Sequence, residues 1–183
     1  LIALNPILVG DSVDDRWTAI RMLVNNMGDA GFDLAQEALG PNVDFAAAEE
    51  RSTNMTMVEF CADNLHNKAK GSKAKVLKLV ESRTPVQMAL AIVCAKVWNA
   101  GEMRRSLKKI VRSGRKQSLL SVFDKVPNAS ALARNSLDGM DLLDLIDRQE
   151  KSKKISPERA NECRIRVKEI LSLTGEAYRQ TVL

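Results

Sequence analysis

The stretch TPVQMALAIVCAKVWN, residues 84–99, decides how this chain folds. Thr84 stands where a helix N-cap belongs, Pro85 occupies the first helical position, and Gln87 has capping-box spacing from Thr84. Beyond that start, Val86, Ala89, Leu90, Val93 and Val97 form one stripe, while Met88, Ala91, Ile92, Cys94 and Trp98 cover the other sides. A helix with no polar face must be surrounded by other helices, because no side of it gains from contact with water. The stretch therefore predicts a helix over residues 85–99, closed by Gly101, at the centre of an all-α fold. Its apolar run, residues 88–95, ends at Lys96 and falls well short of the roughly 20 residues needed to cross a bilayer.

Outward from this centre the periodicity stays helical, and alternating strand patterns are scarce. Upstream, acids over residues 11–15 open a helix running to about Met27, with Trp17, Ile20 and Val24 on one face. Gly28 and Gly31 are expected to break it. Residues 32–39 read as a short helix stopped by Gly40-Pro41, and residues 45–51 as another turn or two. Thr56 and Glu59 have capping-box spacing and predict a helix running to Asn67. Residues 68–72 read as a basic loop, with Ser72 capping a helix that ends near Ser82. Downstream come a basic helix over 102–113, a short one over 117–125 and an acidic-faced one over 138–150. Ser156-Pro157-Glu158 opens a last helix reaching about Leu173, with Cys163, Val167, Ile170 and Leu171 facing inward. The expected fold class is all-α, a multi-helix bundle or two small helical subdomains around the central apolar helix. The expected division is 1–116, acidic at its start and basic at its end, and 117–183, with a boundary between Gly114 and Pro127.

With 183 residues, 45% hydrophobic and 28% charged, the chain can bury a sizeable core and lacks the composition of a disordered or membrane-embedded protein. The opening Leu1-Ile2-Ala3-Leu4 is short and lacks a basic flank, so no secretory signal is expected. Cys61, Cys94 and Cys163 are odd in number and widely spaced, which points to a reducing compartment. The net charge of +5 conceals blocks: residues 1–65 carry 3 basic and 11 acidic side chains, residues 66–116 carry 14 and 2, and residues 117–183 carry 11 and 10. Such blocks act on partners more than on fold.

Catalysis finds no foothold, and no enzyme, cofactor or metal is expected. The single histidine, His66, follows Cys61 by five residues, a spacing that sets the two well apart around a helix. No CxxC, HExxH, GxGxxG or GxxxxGK pattern occurs. Asp138, Asp141, Asp144 and Asp147 recur every third residue, and Asp144–Arg148 and Asp147–Lys151 read as ion pairs along an exposed helix face.

The basic helix carries the functional expectation. At about 100° per residue, Arg104, Arg105, Lys108, Lys109 and Arg112 fall within an arc of roughly 140°, opposite Met103, Leu107, Ile110 and Val111. Arg115 and Lys116 prolong the patch, and Lys68, Lys70, Lys73 and Lys75 supply further cations from the basic loop. Such a face suits phosphates, either anionic lipid headgroups or RNA bound without regard to sequence. Trp98 is expected in the core, so base stacking is not anticipated.

Residues 60–116 resemble the N-terminal domain of orthomyxovirus matrix proteins, the influenza type. The likeness rests on the spaced apolar residues of Val76-Leu77-Lys78-Leu79-Val80-Glu81 and on Arg83-Thr84-Pro85-Val86 opening an apolar helix. Glu102 and the run Lys108-Lys109-Ile110-Val111-Arg112-Ser113-Gly114 complete it. The resemblance implies a multi-helix virion protein beneath the envelope that bridges anionic membrane and ribonucleoprotein and polymerises. Arg104, Arg105, Lys108 and Lys109 would match the family's membrane- and RNA-facing helix. It also implies host cytoplasm and the inner face of the plasma membrane, with the nucleus as a further location. One histidine cannot build the Cys/His cluster of those proteins, and Lys151-Ser152-Lys153-Lys154 is a weak substitute for their nuclear-import motif. These departures point to a divergent, isavirus-like genus. The charge blocks add an expectation of head-to-tail homo-oligomers, the acidic start of one subunit meeting the basic surface of the next. Two other readings stay open: a nucleocapsid protein packaging RNA, and a death-fold adaptor suggested by residues 137–171.

Overall fold

The structure, a computed structural model, describes residues 13–38, 55–82, 84–113 and 128–172. Among these residues the regular structure is helical: α1 (Val13–Met27), α2 (Asp29–Ala38), α3 (Met55–Lys68), α4 (Lys73–Lys78), α5 (Pro85–Val97), α6 (Arg104–Arg112), α7 (Ala129–Lys151) and α8 (Pro157–Ser172). Short 3-10 turns cover Lys70–Ser72, Leu79–Glu81 and Gly101–Met103. The helices expected over residues 45–51 and 117–125 lie outside the described residues.

Helix α5 is the centre that its composition demands. Every residue from Met88 to Lys96 is buried, and α3, α4 and α7 pack around it. Lys96 lies inside the fold because its ammonium pairs with the Glu59 carboxylate of α3, so neither charge is buried alone. Ser136 of α7 donates its hydroxyl to the Ile92 carbonyl at 3.1 Å, which satisfies the buried polar side chain at this helix contact.

Several helix ends form differently from their sequence signals. Helix α5 stops at Val97, where Asn99 takes a positive φ of 44°. Ala100 N–H then bonds the Ala95 carbonyl at 2.9 Å and Asn99 N–H the Lys96 carbonyl at 3.1 Å, a Schellman closure. Asparagine tolerates the left-handed region, so Gly101 is not needed as the stop and begins the following 3-10 turn. Pro85 is the first helical residue as expected, but Thr84 makes no side-chain cap bond. The Gln87 Oε1 instead accepts from Ser82 Oγ at 2.6 Å, and Ser82 Oγ accepts from Thr84 N–H at 3.0 Å. Helix α3 begins at Met55, which puts Thr56 inside it, and Glu59 pairs with Lys96 in place of a capping box. Ser72 has helical dihedrals and no cap bond, and its hydroxyl donates across to Asp29 Oδ1 at 2.6 Å.

Helices α1 and α2 are separated by Gly28 alone, whose φ of +59° turns the chain. Gly31 does not break the helix but lies within α2, where a Cβ would come within 2.2 Å of the Leu23 carbonyl oxygen. Its role is close approach between α1 and α2. Trp17, Ile20 and Val24 are buried as expected, together with Leu23 and Phe32.

Helix α7 starts at Ala129, nine residues before the expected position, because Asn128 caps it by accepting from Ala131 N–H at 3.0 Å. Ala129, Leu132, Ala133 and Met140 share one core with α5, so a division after residue 116 cuts through packed side chains. The distal half of α7 forms a small second cluster with α8 around Ile146, Ala160 and Val167. Ser156 accepts from Arg159 N–H at 3.2 Å and caps α8. Among the described residues no helix is long and apolar enough to cross a membrane.

Candidate polyanion-binding face

Helix α6 is anchored from one side. Met103, Leu107 and Ile110 are buried and Val111 packs against the core, which turns the opposite side to solvent. Arg105, Lys108, Lys109 and Arg112 are exposed there and border a shallow groove with Arg104 and Ser113. None of these four makes an ion pair with a carboxylate among the described residues. The helix ends where Ser113 N–H bonds the Lys109 carbonyl at 2.9 Å and Ser113 Oγ bonds the Ile110 carbonyl at 3.0 Å. Lys109 and Arg112 sit in the last turn, where the helix dipole favours cations and lowers the cost of concentrating them.

Arg104 leaves the expected face. Its guanidinium turns toward α7 and binds both Asp141 and Asp144, the latter at 2.6 Å, and only 21% of its side chain is accessible. Asn99 Nδ2 donates to the other oxygen of Asp144 at 2.9 Å. The anticipated pairs along α7 are accordingly replaced by ties between helices. Asp144 engages Arg104, Asp147 engages Arg164 of α8 at 2.7 Å, and Arg148 Nε donates to the Asp144 backbone carbonyl at 3.3 Å. Arg164 also binds Glu150, and this pair of carboxylates pushes the Arg164 pKa up. Acids on the flanks of α7 reach neighbouring helices, where a fixed guanidinium is a better partner than a mobile side chain one turn away. Arg115 and Lys116 lie outside the described residues.

The basic loop divides in the same way. Lys73 pairs with Glu102 at 2.8 Å and Lys75 with Asp33 at 2.7 Å, all four side chains about half exposed. Pairs so open to water contribute about 0–1 kcal/mol. Lys68 and Lys70 are exposed without a carboxylate partner among the described residues. A groove of about 480 Å³ runs between α4 and the start of α6, floored by Leu77, Val80 and Met103 and rimmed by Lys70, Lys73 and Lys78 with Glu81 and Glu102. The two basic segments therefore adjoin across this groove.

The acidic and basic blocks also meet within one chain. Asp29 is held by Ser72, Asp33 by Lys75 and Glu59 by Lys96. The Ser72 hydroxyl bond holds the Asp29 carboxyl below its ordinary value of 3.8. This contact occupies part of the acidic surface on which head-to-tail assembly was expected to draw.

Trp98 is half-buried, not a core residue. Its Nε1 donates to the Ala62 carbonyl at 3.0 Å, and its ring lies 6.1 Å from that of His66 at a 35° tilt. The residues are 32 positions apart on two helix ends, so no local spacing signals their meeting. Cys61 and Cys94 are buried free thiols; burial pushes Cys61 up to about 12 and Cys94 well above its usual value, so neither supplies a thiolate. Among the described residues no group of His, Cys, Asp and Glu could hold a metal ion. No known protein family, curated protein or solved structure matches this chain.

Proposed function

We propose that this chain is a matrix-type structural protein that docks on anionic membrane through the outward face of α6 and organises beneath a viral envelope. The observation that carries the reading is the exposure of Arg105, Lys108, Lys109 and Arg112 together, without a carboxylate partner among the described residues, on a helix whose other side is locked in the core. Near an acidic leaflet each cation contributes about 1 kcal/mol, so four supply about 4 kcal/mol, or roughly a thousandfold in partitioning. The resemblance of residues 60–116 to orthomyxovirus matrix proteins supports the same assignment and adds the ribonucleoprotein contact and self-association. Arg104 drops out of the binding set, because its charge is already spent on Asp141 and Asp144.

Flotation with phosphatidylserine vesicles and with neutral phosphatidylcholine vesicles tests this reading. The wild type is expected to float with the first alone, and increasingly less as salt screens the face. Replacing Arg105, Lys108, Lys109 and Arg112 with glutamine abolishes flotation while far-UV circular dichroism stays unchanged. Arg104→Gln changes vesicle partitioning by no more than about threefold, its charge being engaged away from the lipid. A folded quadruple variant that still floats removes the membrane role of α6. Loss of RNA binding with flotation intact transfers the face to RNA packaging.

A further inference from the structure

A second site lies away from the exposed face of α6, at the junction of α3, the Lys70–Ser72 turn and the end of α5. There Leu65, His66, Ala69, Lys70, Lys73 and Trp98 enclose a hollow of about 310 Å³. Its residues fall into three kinds. Leu65 and Ala69 are buried and form an apolar floor. The rings of His66 and Trp98, 6.1 Å apart and tilted by 35°, form an aromatic wall of the hollow, the indole packing on the core behind it. Lys70 and Lys73 bring cationic stems to the rim, and no acidic residue lines the hollow among the described residues. Lys73 already pairs with Glu102 at 2.8 Å, so Lys70 is the rim cation without a carboxylate partner among the described residues.

We infer that this hollow binds a single unpaired nucleotide, the base against the His66–Trp98 wall and the phosphate at Lys70. A flat π-system is the shape that an aromatic wall over an apolar floor accepts best, and stacking is tolerant of which base it receives. The phosphate preference follows from the rim, where the Lys70 ammonium has no carboxylate partner among the described residues while the Glu102 carboxylate is held by Lys73. The volume is at the small end of ligand sites, which span about 300–1,000 Å³, and limits occupancy to one base. Duplex nucleic acid is excluded, since its base faces are already stacked and extruding one costs free energy. The tilt fits the same occupant: a base lying flat on the indole meets the imidazole plane at the same 35°, closer to an offset stack than to an edge-on contact. Trp98 is a fixed platform because its Nε1 is held by the Ala62 carbonyl at 3.0 Å. The inference is independent of the membrane reading, and the cations of α6 take no part in it. The same ligand chemistry can come from a free nucleotide or from the unpaired base of an RNA strand.

Tryptophan fluorescence reports the site directly. Trp17 is only 2% exposed, which leaves Trp98 as the indole that a stacked base can quench. The full chain is titrated with adenosine monophosphate, single-stranded oligoadenylate, a blunt RNA duplex, inorganic phosphate and phosphatidylserine vesicles. Saturable quenching by adenosine monophosphate and by the single strand supports the site with free nucleotide as one source. Quenching by the single strand alone supports it with RNA as the source. Lys70→Glu and His66→Ala, both at exposed positions, should each weaken the quenching by about tenfold with the far-UV spectrum unchanged. The inference is overturned if no probe quenches, if phosphate or the duplex quenches as strongly as the single strand, or if only the vesicles do so, which would make the hollow a lipid-headgroup site.

Discussion

The ion pair between Lys96 and Glu59 offers the sharpest test of how the central helix is held. Their side chains retain 6% and 15% exposure, so both charges are largely withdrawn from water and each depends on the other. Removing one member of such a pair strands a charge and costs about 3–5 kcal/mol, against about 0–1 kcal/mol for a solvated pair. The two single variants should differ. Lys96→Met leaves a carboxylate with 15% exposure, which water can partly solvate, and falls near about 3 kcal/mol. Glu59→Met leaves an ammonium with 6% exposure and falls near about 5 kcal/mol. The double variant replaces both charges with apolar groups of similar length and returns to within about 1 kcal/mol of wild type. Urea unfolding followed by circular dichroism at 222 nm reads these values, and a loss of about 3 kcal/mol moves the midpoint by about 1–2 M. Additive single effects, or single losses below about 1 kcal/mol, would refute the claim that this charge is buried and compensated.

Two further outcomes follow from the packing and the titration behaviour. Gly31→Ala drives a methyl group into the α1 backbone, 2.2 Å from the Leu23 carbonyl oxygen, and should cost about 3 kcal/mol in thermal or urea unfolding; a neutral substitution contradicts the close approach of α1 and α2. The Lys73 hydrogen bond holds the Glu102 carboxyl below its ordinary value of 4.5, so the pair stabilises the fold above that pH and loses its contribution as pH falls through the lowered value. Carbon-detected NMR should find the Glu102 midpoint below 4.5 and Lys73→Met should raise it, while an unmoved midpoint would dismiss the pair.

The limits of linear reading are physical. Cap residues mark helix ends because their side chains bond backbone two or three positions away, but a distant partner can compete for the same side chain. Ser72 is drawn to Asp29 and Glu59 to Lys96, both far away in the chain, so two expected caps became tertiary bonds, while Gln87 accepts from Ser82 five positions back. Asn128 and Ser156 meet no such rival among the described residues and cap their helices, although only Ser156 had been expected to.

Periodicity and composition alone determined that the fold is of the all-α class, helical in its described residues, that residues around Met88 to Ala95 form its centre, and that the cations after Gly101 gather on one side of a helix. Those properties depend on neighbours within one or two turns, which the linear order contains. Tertiary structure decided which charges remain open to a partner. Arg104 and Arg105 are adjacent in the chain, yet Arg104 is claimed by two aspartates of α7 while Arg105 faces solvent. It also brought His66 and Trp98 to one hollow from separate helix ends. An ion pair or an aromatic wall requires atoms within a few ångströms, and for residues more than 30 positions apart only the packing of helices sets that distance.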